Sequence, residues 1–250
     1  MRIVAPNYRG LFLALFATFV LFGTSSTVVG AALPSILADF KWEYGIAAAL
    51  MAAGSLGNLV AIFLAGRFIG RLGPKLVLGV GFLLDTLSLA FFATTSQPLP
   101  NILLYLALGL GQGCLEVGVN WSVLRMDEGG SGRAMSLMHG AFSIGAVVGP
   151  FVMGLLLTAR LPWTAVYRGM ALLLGLLMVL VMALPLGRIK GSETESRAKK
   201  LRLTGPVRWL GLAAMLFYVG TELGISNWAA EFFVRAFGYG PALASFAVSL

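Results

Sequence analysis

Residues 102–123 read ILLYLALGLGQGCLEVGVNWSV, an apolar run that is interrupted by Glu116 and Asn120. A helix that spans a membrane needs about 20 mostly apolar residues, and this run is long enough. A carboxylate costs at least ~2.5–3.5 kcal/mol near the centre of such a helix, so it persists mainly where it faces protein or water and serves a function. Because Glu116 and Asn120 are four residues apart, the run predicts a membrane helix with one polar stripe.

Other parts of the chain are equally apolar. Hydrophobic residues make up 58% and charged residues 11% of the sequence, which excludes an ordinary soluble domain. Six further runs have the length of a membrane span: residues 11–32, 47–68, 76–95, 134–157, 166–186 and 209–233. An eighth run begins near Ala242 and continues to Leu250. Since a helix cut there would not cross the bilayer, we expect an all-α integral membrane bundle that is truncated in its eighth span.

One long polar segment divides the chain. Residues 187–208 are rich in Lys, Arg, Ser and Glu and follow the sixth apolar run. Such a composition is typical of a surface linker rather than a binding site. We therefore expect a six-helix half over residues 1–186, a basic cytoplasmic linker over 187–208, and the start of a second half over 209–250.

The positive charges alternate between the two ends of the predicted spans. Of the 18 Lys and Arg residues, all but four fall at the N-terminus, at alternate span ends or in the linker; the exceptions are Lys41, Arg160, Arg168 and Arg235. This bias predicts a cytoplasmic N-terminus in the inner or plasma membrane. A nucleic-acid partner is excluded, because no soluble face carries the net charge of +8.

A phrase in the fourth span recurs in the seventh. Residues 116–121 read EVGVNW and residues 222–228 read ELGISNW, and internal repeats are the usual construction of secondary transporters. We interpret the acids in the spans, together with the single histidine, as candidates for proton coupling: Glu116, Glu222, His139 and Asp85. The candidates for substrate binding are Asn120, Trp121, Tyr218, Ser226, Asn227 and Trp228.

Several of these residues also have a structural interpretation. Asp85 either belongs to the pathway or pairs with a neighbouring helix, and His139 is either a proton relay or a neutral donor between helices. The indoles of Trp121 and Trp228 either stack on a sugar ring or pack at helix junctions. Asn58, one turn after Gly54, favours an interhelical hydrogen bond over a ligand contact.

Enzyme classes find little support in the sequence. It has no phosphate-binding loop with Gly-Lys-Ser/Thr, no nucleophile elbow and no paired-histidine metal helix. Cys114 is the only cysteine, which excludes a multi-cysteine zinc site. A lipid-modifying enzyme would require more His or Asp at one membrane face than this chain has. We expect no enzyme activity, no metal and no cofactor.

The loop after the second span resembles a family signature. Residues 66–75, GRFIGRLGPK, include Gly66, Arg71, Gly73 and Lys75 and look like the segment between the second and third helices of the major facilitator superfamily. Gly70 stands where that signature has an aspartate. The remaining glycines suit a tight turn between packed helices.

Three other segments resemble the fucose permease and related sugar:proton symporters of that superfamily. They are the fourth span with Glu116 and Asn120, the histidine-glycine-proline helix over residues 139–150 with Gly145, Gly149 and Pro150, and residues 218–228. The glycines and Pro150 of that helix are expected to allow close packing and a bend. Some members of the group carry an acid in the first helix, at the place of Gly30.

The resemblance implies a monomeric carrier in the lipid bilayer. Its two halves would rock about a midplane site and couple the uptake of a sugar-like solute to protons. The alternatives are a proton-coupled exporter of amphipathic compounds from the same superfamily and a sensor or receptor that transports nothing.

Topology is testable by cysteine labelling. A cysteine at position 192, in the predicted linker, should not react with an impermeant thiol reagent in intact cells, because the charge bias places it inside. A cysteine at Gln97, in the loop before the fourth span, should react readily. The reverse pattern would invert the topology.

Overall fold

The computed structural model describes residues 4–127, 132–184, 186 and 205–249. Within them the chain forms seven α-helices after a short 3₁₀ turn over Pro6–Tyr8. The helices are α1 (Arg9–Phe40), α2 (Tyr44–Phe91), α3 (Pro98–Met126), α4 (Arg133–Thr158), α5 (Thr164–Ala183), α6 (Gly205–Phe237) and α7 (Pro241–Val248). The expected all-α membrane bundle is confirmed.

The second and third predicted spans are the two arms of α2. The helix breaks at Gly73, whose φ of 77° and ψ of 157° fall where a residue with a Cβ is strained. Pro74 follows and suits the first turn of the next arm. The first arm (residues 44–72) runs parallel to α3, since Gly54 meets Tyr105 and Asn58 lies further along against Gly113.

The second arm of α2 (residues 74–91) runs antiparallel to α3. Leu78 contacts Gly118, whereas Asp85, further along the chain, contacts Gly111. The two arms therefore form a helical hairpin, and both pack against one helix. This arrangement places two membrane crossings within a single 48-residue helical element.

Helix α1 packs closely against α4 through glycine. A side chain at Gly145 would collide with the Val20 carbonyl, and Gly149 lies against Thr24 and Thr27. The hydroxyl of Thr24 donates to the carbonyl of Gly145 at 3.1 Å. Small residues and hydroxyl bonds of this kind hold helices together in lipid, where burial of apolar surface offers no gain.

Six helices of the described residues, α1 to α6, are long and apolar enough to cross a membrane. Their outward faces carry large apolar side chains; Phe63, Leu172 and Phe217 are 70%, 66% and 74% exposed. In water such surfaces would drive association, whereas lipid solvates them. The chain is an integral membrane protein.

Helices α1, α3, α4 and α6 are longer than the apolar runs that predict them, whereas α5 ends at Ala183, before the end of its run at residue 186. The predicted span over residues 11–32 lies within Arg9–Phe40, because polar helix ends continue beyond the hydrocarbon region. Helix α6 begins at Gly205, so residues 205–208 of the predicted linker are helical. The rest of that linker lies outside the described residues.

The glycine contacts between α1 and α4 generate a stability prediction. Gly145→Ala should lower the free energy of unfolding by roughly 1–3 kcal/mol, because the added methyl overpacks a helix interface. Gly140→Ala is the matched control on the same helix, since nothing lies within 4 Å of its Cβ position. Thermal unfolding in detergent should show a lower midpoint only for Gly145→Ala, and equal midpoints would contradict the packing role.

Candidate functional site

A cavity of about 640 Å³ lies between two packed pairs of helices, α1 with α4 and α2 with α3. Helix α6 contributes one further wall. Three lining side chains can carry charge: Glu116, His139 and Glu222. The other polar side chains of the lining are neutral. The polar lining residues are Ser25, Ser26, Ser55, Asn58, Gln112, Glu116, Asn120, His139, Glu222 and Asn227.

Glu116 is the half-buried acid of the α3 wall. Its carboxylate interacts with Asn58 from the first arm of α2 and with His139 from α4. Three helices therefore meet at this acid. A carboxylate held in a membrane cavity between an amide and an imidazole can accept and release a proton without leaving the bundle.

The α3 wall is a polar stripe of three residues, each one turn apart. Gln112 precedes Glu116, and its Nε2 donates to the Ser25 hydroxyl at 2.9 Å, which ties α3 to α1. Asn120 follows Glu116, and its buried Oδ1 accepts no hydrogen bond from the described part of the chain. An unpaired buried acceptor is costly.

Five of the residues predicted from sequence line the cavity together. They come from three helices and include both acids of the repeated phrase: Glu116, Asn120, His139, Glu222 and Asn227. The aromatic rings of Phe19, Phe22, Tyr105 and Phe142 also line the cavity. The cavity thus offers hydrogen-bonding groups and ring faces to one bound molecule.

The two tryptophans of the repeated phrase lie away from the cavity lining. Trp121 lies under the Arg125 guanidinium at 3.7 Å and packs against the small apolar cluster formed by Ala65, Ile69 and Val77. Trp228 packs edge-on against Tyr44, with ring centroids 5.9 Å apart. Both indoles occupy helix junctions, which is the packing alternative rather than the sugar-stacking one.

Tyr218 and Ser226 are also absent from the lining. Tyr218 is 64% exposed, although it precedes Glu222 by one turn. The backbone of Ser226 lies directly against Gly30 of α1. The expected stripe of Tyr218, Glu222 and Ser226 on α6 therefore contributes only Glu222 to the cavity wall.

Asp85 is fully buried between the second arm of α2 and α3. It fills the space beside Gly111, which has no side chain of its own. Neither carboxylate oxygen has a hydrogen-bond partner among the described residues. Asp85 is thus outside the cavity lining and forms no pair with a neighbouring helix.

Five polar lining residues are not among the site residues predicted from sequence: Ser25, Ser26, Ser55, Asn58 and Gln112. Gln112 could have been predicted from the sequence, because it lies one turn before Glu116 on the same face of the helix. Asn58 and Ser25 come from other helices, and only the packing of those helices brings them to the cavity. Asn58 was expected to form an interhelical hydrogen bond; its side chain is hydrogen-bonded to Glu116 of α3, and it also lines the cavity.

Comparison with known proteins identifies the family of this bundle. The family model described as Major Facilitator Superfamily matches residues 15–250. The chain belongs to the major facilitator superfamily. An uncharacterised MFS-type transporter of Yersinia pestis is 26% identical over 192 residues, which are 76% of this chain and 48% of the relative.

A solved structure shares the fold. The crystal structure of a D-xylose-proton symporter superposes with a TM-score of 0.71 at 15% identity, over 97% of this chain and 65% of that one. This superfamily chain spans about half the length of the curated relative that it matches.

The superfamily signature surrounds the break in α2. Arg71 and Lys75 are exposed on either side of Gly73, and Gly66 has open space around it. In the other signature helix, Gly149 and Pro150 are buried, and α4 continues through the proline. Groups of three or more His, Cys, Asp or Glu that could hold a metal are absent from the described residues.

The packing of α6 against α1 explains why residue 30 of α1 is a glycine. A Cβ at Gly30 would collide with the carbonyl of Ser226 on α6. An acid at this place therefore cannot fit while α1 and α6 are packed together. The acids that line the cavity are instead on α3 and α6.

Proposed function

We propose that this chain forms part of a secondary transporter that couples the uptake of a sugar-like solute to protons by alternating access. The observation that carries the proposal is the cavity in which Glu116 meets Asn58 and His139. The N-terminus is cytoplasmic, the membrane is the inner or plasma membrane, and the carrier is a monomer. Residues 1–186 form one half, and residues 209–250 begin the second.

A neutral polyol suits the chemistry of the cavity. Seven neutral side chains in the lining can donate or accept hydrogen bonds: Ser25, Ser26, Ser55, Asn58, Gln112, Asn120 and Asn227. Among the described lining residues none is Lys or Arg, so an anionic solute would meet carboxylates without a counter-charge. Sugar hydroxyls, in contrast, find both donors and acceptors. The shared fold with a D-xylose-proton symporter agrees with this class.

Glu116 is the proposed proton carrier. Protonation removes the charge of an acid that lies inside the membrane, and a neutral acid opposes reorientation of the carrier less than a charged one. Solute and proton then bias the same conformational equilibrium, which couples their movement. His139 of α4, an electrostatic neighbour of Glu116, is the proposed partner in this proton exchange.

Export of amphipathic compounds is the second candidate. The rings of Phe19, Phe22, Tyr105 and Phe142 on the cavity wall favour a solute with an apolar body. Counterflow of labelled D-xylose and related monosaccharides in vesicles separates the two functions. A sugar carrier exchanges label, whereas an exporter of apolar compounds exchanges none. A sensor or receptor would exchange neither sugars nor apolar compounds.

Replacing Glu116 tests the coupling. Glu116→Gln keeps the shape and hydrogen-bonding capacity but removes the titration, so proton-driven sugar accumulation should be lost and sugar exchange should persist. The reason is that exchange needs only the loaded carrier to reorient, whereas net uptake needs the proton to leave. Accumulation at the wild-type level, measured in vesicles with an imposed pH gradient, would refute the assignment.

Replacing Glu222 tests the solute site. Glu222→Ala should weaken sugar binding at least about tenfold, because loss of a hydrogen-bond partner of the bound solute costs roughly 1–3 kcal/mol. Tyr218→Ala is the matched control, one turn away on α6 and outside the lining. Isothermal titration of the complete protein measures both. Equal sugar affinities for the two variants would show that the phrase repeated in the fourth and seventh spans is only a packing motif.

A further inference from the structure

Contacts of α6 and α7 with the first five helices lie at one end of α6. The hydroxyl of Tyr44, at the start of α2, donates to Oε1 of Glu231 on α6 at 2.9 Å. Glu231 is only 4% exposed, and the same oxygen accepts from Nε of Arg235 at 2.8 Å. The Trp228 ring lies on Tyr44 beside this pair.

The opposite end of α6 lacks such contacts. Residues 205–225 are all exposed, whereas Ala230 and Glu231 are buried. On the proposed topology α6 begins at the cytoplasm, so the exposed end is cytoplasmic and the packed end is external. Among the described residues, the contacts between α6 and the first five helices are therefore concentrated at the external end of α6.

We infer that Tyr44 and Glu231 form an external latch that stabilises the inward-open state. This inference rests on the proposed alternating access. Separation of the two halves at the external end would take the Tyr44 hydroxyl away from a buried carboxylate. Arg235 stays with Glu231, because both are on α6. The Tyr44 bond is therefore the part of the cluster that is made in one state and broken in the other.

A comparable hydrogen bond at the external end of the molecule lies entirely within the first half. Nε1 of Trp163, just before α5, donates to Oδ2 of Asp39 on α1 at 2.6 Å. It is likewise an aromatic donor to a carboxylate. Both partners lie in the first half, so rocking of the halves leaves it intact. Tyr44→Phe and Trp163→Phe each delete one such donor, and only the first deletes a contact between the halves.

The test follows the access of one cavity position from both sides of the membrane. A cysteine replaces Ser26, which lines the cavity on α1, in the complete protein with Cys114→Ser. An impermeant maleimide is applied to intact cells for the external side and to inside-out vesicles for the cytoplasmic side. Tyr44→Phe should raise the external labelling rate and lower the internal one, changing their ratio about tenfold, which is the effect of a hydrogen bond to a charged group.

Glu231→Gln should shift the ratio in the same direction, and Trp163→Phe should leave it at the reference value. Unchanged ratios in both latch variants would overturn the inference, as would faster labelling from both sides, which indicates loosened packing. Labelling needs neither solute nor proton. A reciprocal shift without any sugar exchange would therefore uphold the latch and refute the proposed function, whereas exchange with unchanged ratios would do the reverse.

Discussion

Close contact between helix backbones is the constraint on which the cavity depends. Gly109 on α3 lies against the backbone of Gly54 on α2, and Gly145 on α4 lies against Val20 on α1. Each contact brings two helices together more closely than any side chain would allow, and in lipid this close packing supplies attraction that burial of apolar surface cannot. The result is two tight pairs of helices with a space between them. A polar stripe on α3 faces that space.

The spans follow from sequence because lipid imposes a simple rule on each helix separately. An apolar run of sufficient length has to cross the bilayer, and Gly73 with Pro74 marks the reversal between two such runs. The shared face of Glu116 and Asn120 on α3 follows from helical spacing alone. These features need no knowledge of neighbouring helices, and for that reason a single sequence is sufficient to predict them.

The direction in which an individual side chain points depends on the neighbouring helices, so it is harder to predict from the sequence. Trp121 and Asn120 are adjacent in sequence, yet one packs under Arg125 and the other lines the cavity. The echo between residues 116–121 and 222–228 predicts the place of both acids in the cavity lining, but their aromatic partners lie at helix junctions. Asp85 shows the same limit: its type indicates a pathway, whereas its position is a buried helix interface beside Gly111. Helical spacing shows which residues share a face of a helix, whereas the packing of the helices determines what that face contacts.

The contact of Phe246 with α4 has a mechanical consequence. Its ring fills the notch that Gly154 leaves and lies 5.4 Å from the ring of Phe151, at an interplanar angle of 60°. Dispersion contacts of this kind are individually weak and have no preferred direction. The neighbouring residue adds a directional contact, because the Ser245 hydroxyl donates to the Ala31 carbonyl of α1 at 2.9 Å. Through these two adjacent residues, α7 connects α4 mechanically to α1.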